Sequence, residues 1–135
     1  MITNFSEFLA AKRASNWALT AEDLEQQEAA ALVADIQTWG DEKFALANDQ
    51  LHDWFGLEVP TSLLKEVAMS DLDLAEEIYS GGVSDTCQRE ILIDAVLKKM
   101  GLRNWPINIE GERVAKDFLN QLHTVAPTFG VKIVE

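Results

Sequence analysis

In this 135-residue chain, the strongest candidate for a catalytic or metal-binding site is a histidine flanked by aspartates. His52 follows Asp49 by three positions and directly precedes Asp53, and residues three or four apart share one face of a helix. Imidazole and carboxylate groups bind metal ions and transfer protons. No second histidine motif of matching geometry follows, so the pattern favours a surface histidine beside acids. A metal-dependent all-α hydrolase using His52 and the nearby carboxylates is the alternative that the pattern leaves open.

The single cysteine is the other candidate for reactivity. Cys87 is predicted to lie in the first turn of a helix, where the helix dipole lowers the pKa of a thiol. The neighbouring acids Asp85 and Glu90 oppose that effect, so a half-buried packing cysteine fits the sequence better than a nucleophile. One cysteine also excludes an intramolecular disulfide and a cysteine-based metal cage, which is typical of a reducing compartment.

Other catalytic motifs are incomplete. All-α hydrolases of nucleoside triphosphates often hold magnesium with a Glu-x-x-Glu pair and a later Glu-x-x-Asp pair. Glu22, Glu25 and Glu28 provide the first pattern, but the second is absent from the sequence. The chain also lacks a glycine-rich phosphate loop, a serine elbow and a metalloprotease motif. The sequence therefore predicts a protein that is not an enzyme, with no catalytic residue, no cofactor and no metal site.

The charge of the chain is strongly negative and unevenly distributed. A formal net charge of −12 opposes direct binding to nucleic acid or to an anionic membrane, because both are themselves negative. Residues 20–85 hold sixteen acids against only Lys43 and Lys65. Acids recur there at helical spacing, and each such like-charge pair slightly destabilises a helix. No folding benefit from this spacing is evident in the sequence.

Part of this acidic block is interpreted as a docking face for a basic protein partner. The competing interpretation is a solvated surface, where water and salt screen the acids at little cost. Six carboxylates are predicted to bind the partner: Glu42, Asp49, Asp53, Asp73, Glu76 and Glu77.

The acids lie on elements whose apolar residues recur mostly at helical spacing, which predicts helices. We predict a mainly α, single-domain bundle over residues 1–135, with about six or seven helices around a central buried helix at 85–100. The predicted helices begin near Asn4, Thr20, Asp41, Pro60, Ser70, Asp85 and Glu110. The third is expected to run from Asp41 to Phe55, stop at Gly56 and turn Trp54 inward.

Two features outside the helices also carry predictions. Residues 102–109 and 128–135 read as extended segments that pair with each other in a small two-stranded sheet near the C-terminus. Trp17 is expected to pack against the core from a linker. Neither a signal peptide nor a membrane-length apolar run is visible, which favours a cytoplasmic protein with no membrane contact.

These observations favour a small acidic binding or inhibitor protein that places a negative helical face on a basic macromolecule. One form is an immunity protein or antitoxin-like inhibitor of a toxin, such as a nuclease. The other mimics the charge of nucleic acid and blocks a DNA-binding defence enzyme. In both forms, carboxylates take the place of phosphates and electrostatic steering makes association fast.

Overall fold

In the computed structural model, the described residues are 1–81, 86–102 and 112–134, with side chains described for 1–81, 89–102 and 118–134. They confirm the mainly α fold. The α-helices within them are α1 (Phe5–Ala14), α2 (Gln26–Gln37), α3 (Asp41–Phe55), α4 (Thr61–Ser70), α5 (Leu72–Tyr79), α6 (Thr86–Lys99) and α7 (Glu112–Val125). Two short strands, β1 (Leu57–Glu58) and β2 (Lys132–Ile133), complete the fold with 3₁₀-helical turns at Ala21–Asp23 and Ala126–Phe129. Asp85, the Cys87 side chain and the segment 103–110 lie outside the described residues.

Helix α3 has the predicted bounds. Gly40 caps its start with an extended backbone, and Gly56 ends it in the left-handed region at φ +67°, where a side chain would be strained. Phe44, Ala47 and Leu51 form its buried face. Trp54 corrects the prediction, because its side chain is 51% exposed and its ring lies 3.5 Å from the Arg89 guanidinium carbon on α6.

Three predicted helix starts are shifted by local backbone geometry. Thr20 and Asp23 close a capping box around a single 3₁₀ turn, and the extended residues after it delay α2 to Gln26, capped by Glu25. Pro60 is the cap residue of α4 rather than its first helical residue. Asp71, not Ser70, caps α5, because its side chain accepts a hydrogen bond from the Leu74 amide at 3.1 Å.

The core lies where α5 meets the other helices. Helix α5 packs against α1, α2, α3, α4 and α6, whereas the main partners of α6 within the described residues are α3, α4 and α5. Helix α6 does bury Leu92, Ile93, Val96 and Leu97. The central position predicted for α6 is therefore shared with α5. Aromatic rings join α1 to this centre. The ring centroid of Phe5 lies 5.1 Å from that of Trp39 and 5.8 Å from that of Tyr79.

The predicted C-terminal strand forms as part of a two-stranded sheet within the described residues. β2 pairs antiparallel with β1, setting Leu57 opposite Ile133, and the Val134 amide donates to the Gly56 carbonyl at 2.7 Å. The left-handed turn at Gly56 directs the segment after α3 along the C-terminus, where Leu57 becomes buried. The predicted pairing of this strand with residues 102–109 lies outside the described residues, apart from Leu102.

Trp17 also differs from its prediction, because its side chain is 58% exposed. It follows Asn16 in a loop where both residues have positive φ, 54° for Asn16 and 66° for Trp17. The Trp17 amide donates to the Lys12 carbonyl at 2.7 Å, which holds the loop against the end of α1. A bulky residue in the left-handed region is strained.

Replacing Trp17 with Gly or with Ala separates this strain from the contacts of the indole ring. Both variants lose the ring equally, but only Gly adopts a positive φ without cost. The Gly variant is expected to be more stable than the Ala variant by about 1 kcal/mol, measured by urea unfolding. If the Ala variant is as stable or more stable, the loop is not strained in solution.

Candidate functional site

The six predicted carboxylates divide between two helices that have different environments. Glu42, Asp49 and Asp53 lie on α3, and all three are exposed. Asp73, Glu76 and Glu77 lie on α5, where Asp73 is exposed, Glu77 half-buried and Glu76 buried. The predicted set is therefore not one uniform surface.

The outer face of α3 carries the carboxylates that face solvent. Glu42, Asp49 and Asp53 are spaced by seven and four residues, so they lie in line on the side opposite Phe44 and Leu51. Within the described residues, the Asp49 carboxylate has no hydrogen bond or salt bridge. The Glu42 carboxylate lies over Gly40 at the start of its own helix, where the positive end of the helix dipole stabilises an anion.

Two cations beside α3 are directed to aromatic rings. Lys43, the only lysine on α3, places its ammonium 4.3 Å from the centroid of Tyr79. Arg89 lies over Trp54. These are cation–π contacts. The bases therefore contribute to packing against the aromatic side chains.

His52 and Asp53 form the other part of this face. The His52 Nδ1 atom lies 3.2 Å from Asp53 Oδ1, and the two side chains are 44% and 73% exposed. A third ligand is missing, since the described part of the chain contains no group of three His, Cys, Asp or Glu side chains placed to hold a metal ion. The arrangement is that of a surface histidine beside an acid.

Glu76 corrects the predicted docking face. Its carboxylate accepts from the Lys12 ammonium at 2.6 Å, and each side chain is only 12% exposed. This ion pair joins α1 to α5, and the Lys12 ammonium also lies 5.1 Å from the Phe8 ring centroid. Glu76 thus belongs to the interior of the fold and is not available to a partner.

Asp73 and Glu77 line a groove beside that ion pair. The groove has a volume of about 420 Å³ and is also bordered by Lys12, Thr20 and Ile91. Asp73 accepts from the Ala21 amide at 3.3 Å, so it connects α5 to the 3₁₀ turn before α2. At least one of these acids therefore has a role within the fold.

Several further acids bind backbone amides at the starts of helices, a role that the sequence did not reveal. The Asp35 carboxylate accepts from the Phe5 amide at 3.1 Å, across thirty positions of sequence. Glu25 and Glu28 form a capping box at the start of α2. Because these amides have no partner inside their helices, the carboxylates satisfy donors that would otherwise be unpaired. Some acids whose helical spacing suggests like-charge repulsion therefore act as helix caps.

Glu28 binds two backbone amides, and its ionisation makes the stability of the fold depend on pH. Its carboxylate accepts from the Ile2 amide at 2.9 Å and from the Glu25 amide at 3.2 Å. These hydrogen bonds favour the ionised form, so they lower the pKa of Glu28 below its ordinary value, with the Ile2 bond as the larger cause.

Because the pKa of Glu28 is lower in the folded chain than in the unfolded chain, its ionised carboxylate stabilises the fold at any pH above the unfolded pKa. This stabilisation is lost as the pH falls through the folded pKa. We therefore expect Glu28→Gln to reduce stability at neutral pH and to flatten the loss of stability on acidification. Urea unfolding at a series of pH values measures both effects, with Glu22→Gln, an exposed acid, as the control. Parallel pH curves for Glu28→Gln and the unaltered chain would contradict this prediction.

No family model, curated protein or solved structure matches the chain. None of the described helices is long and apolar enough to cross a membrane. The candidate site is thus defined by its own geometry and charge. It consists of the outer face of α3, centred on Asp49 and Asp53.

Proposed function

We propose that this protein is a small acidic binding or inhibitor protein that docks the outer face of α3 on a basic macromolecular partner. The favoured form is an immunity protein or antitoxin-like inhibitor that covers the basic active site of a toxin, such as a nuclease. Catalysis has no part in this proposal. A cytoplasmic location accompanies it, in keeping with the reducing compartment suggested by the single cysteine.

The observation that supports the proposal is that Asp49 and Asp53 lie exposed on one face of α3, whereas several acids elsewhere are bound within the fold. Glu76, Asp35, Glu25 and Glu28 each bind a cation or a backbone amide within the fold. Asp49 has no such role among the described residues, and Asp53 contacts only the exposed His52. Carboxylates that do not hold the fold together are free to neutralise the charges of a partner.

Capture from a lysate of the source organism tests the proposal. The immobilised protein is loaded at low salt, and bound proteins are eluted by rising salt, which weakens exposed charge pairs. A basic protein is expected to elute as a discrete peak. Recovery of no basic protein at low salt would refute the proposal.

A second candidate form is a nucleic-acid mimic that blocks a DNA-binding defence enzyme. The alignment of exposed carboxylates along α3 favours it, since phosphates are also spaced along a line. The two forms differ in what the captured protein does. A toxin loses its own activity when this chain is added, whereas a DNA-binding enzyme releases DNA in proportion to the chain added.

A further inference from the structure

Helix α3 exposes apolar as well as acidic side chains. Leu46 is 47% exposed and Trp54 is 51% exposed, and both lie on this helix. Glu42, Leu46, Gln50 and Trp54 follow one another at intervals of four, while Asp49 and Asp53 belong to the neighbouring row. Such rows are the ridges by which one helix packs against another.

Phosphate mimicry alone gives no reason for exposed leucine and tryptophan side chains. Protein–protein interfaces, in contrast, centre on a few apolar or aromatic anchors with polar groups around them. On α3, Leu46 lies three positions before Asp49 and shares its exposed face, whereas Trp54 lies at the edge of that face, about 100° around the helix from Asp53. Arg89 covers one side of the Trp54 ring, and half of the side chain remains exposed as an anchor. This juxtaposition indicates a partner surface that is apolar along one line and basic along the next.

We infer that α3 binds a basic amphipathic α-helix of a protein partner, an inference that rests on the proposed function. Leucine-like side chains of that helix pack on Leu46 and Trp54, and its lysines or arginines face Asp49 and Asp53. The spacing suits a helix, because Leu46 and Trp54 are separated by about 12 Å along α3. Residues seven or eight apart on a partner helix span the same distance.

A pair of synthetic peptides tests this inference with the full chain. One is a helical peptide of about 14 residues, composed of leucine and lysine with the leucines on one face. The other has the same composition in an order that spreads the leucines around the helix. Calorimetry is expected to show that the patterned peptide binds at least about tenfold more tightly. The ratio should persist at about 0.5 M salt, because apolar burial is not screened.

The variant Leu46→Gln locates the binding on α3. Gln has nearly the helix propensity of Leu, and Leu46 is exposed, so the thermal melt should be unchanged. Affinity for the patterned peptide is expected to fall about tenfold, with little change for the other peptide. Leu119→Gln on α7 is the matched control, since Leu119 is 48% exposed, and it should leave both affinities unchanged.

The outcomes separate this inference from the function on which it rests. If both peptides bind equally and Leu46→Gln has no effect, the face recognises charge alone and the inference is wrong, while lysate capture of a basic protein still supports the proposed function. If neither peptide binds at low salt, the inference is also wrong. If lysate capture fails as well, the proposed function fails with it.

Discussion

Replacing Lys12 with Met is expected to lower the free energy of unfolding by about 3 kcal/mol. The Lys12 ammonium and the Glu76 carboxylate are 2.6 Å apart, and both side chains are 12% exposed. Met keeps the length and apolar contacts of the lysine side chain near Phe8 but removes the charge. The loss arises because the Glu76 carboxylate is then buried without its cationic partner.

A double-mutant cycle measures the coupling of the pair. Glu76→Gln alone should destabilise the fold less than Lys12→Met, because lysine can extend its flexible side chain to water. The double variant should recover much of the loss, since neither side chain is then a buried unpaired charge. Chemical denaturation gives all three free energies.

Lys98→Met is the matched control for Lys12→Met. Lys98 pairs with Asp94 at 2.8 Å, but these side chains are 67% and 40% exposed, so its loss should change stability by less than about 1 kcal/mol. An effect of Lys12→Met no larger than this would mean that Glu76 is solvated in solution. Glu76 would then return to the set of acids available to a partner.

The elements that sequence reasoning placed correctly are those fixed by neighbouring residues. Helix α3 runs from Asp41 to Phe55 as predicted, because its apolar residues repeat at helical spacing and Gly56 ends it. The cap of α1 is local too, since Asn4 accepts from the Glu7 amide three positions away. Interactions over three or four residues leave a pattern in the sequence that can be recognised.

The elements that sequence reasoning misplaced depend on contacts between distant segments. Lys12 and Glu76 are 64 positions apart, and nothing in either local sequence specifies the other. The strand at Lys132–Ile133 was recognisable from its alternation, but its partner at Leu57–Glu58 was not. Trp54 fits a helical apolar pattern, yet the packing of α3 leaves half of it exposed.

The same distinction explains which parts of the candidate site could be foreseen. Asp49 and Asp53 are predictable because their spacing on one helix suffices to make them neighbours. Glu76 is not distinguishable from these acids by sequence, because a sequence does not show whether a carboxylate is paired with a distant lysine. Leu46 was not recognised as exposed, although its four-residue spacing from Glu42 places both in one row of α3.

Charge reversal on α3, with Asp49→Lys and Asp53→Lys in one chain, is expected to weaken binding to the captured partner at least about 100-fold. Two repulsive contacts then replace two attractive ones at the centre of the proposed face. The fold itself should remain intact, because both side chains are exposed, the Asp–Asp pair is exchanged for a Lys–Lys pair at the same spacing, and no buried group is left without a partner. Titration calorimetry and a thermal melt measure these two effects.

Glu22→Lys with Glu66→Lys is the matched control for this variant, because both acids are exposed and the net charge changes equally. It should weaken binding much less, since long-range attraction is screened over about 10 Å at 0.1 M salt. Equal losses in the two variants would mean that the partner responds to total charge, and the outer face of α3 would not be the docking site. Unfolding of the Asp49 and Asp53 variant would instead assign these acids to the stability of the fold. Only the loss of binding in a folded α3 variant, with binding kept in the control, supports a docking face at this helix.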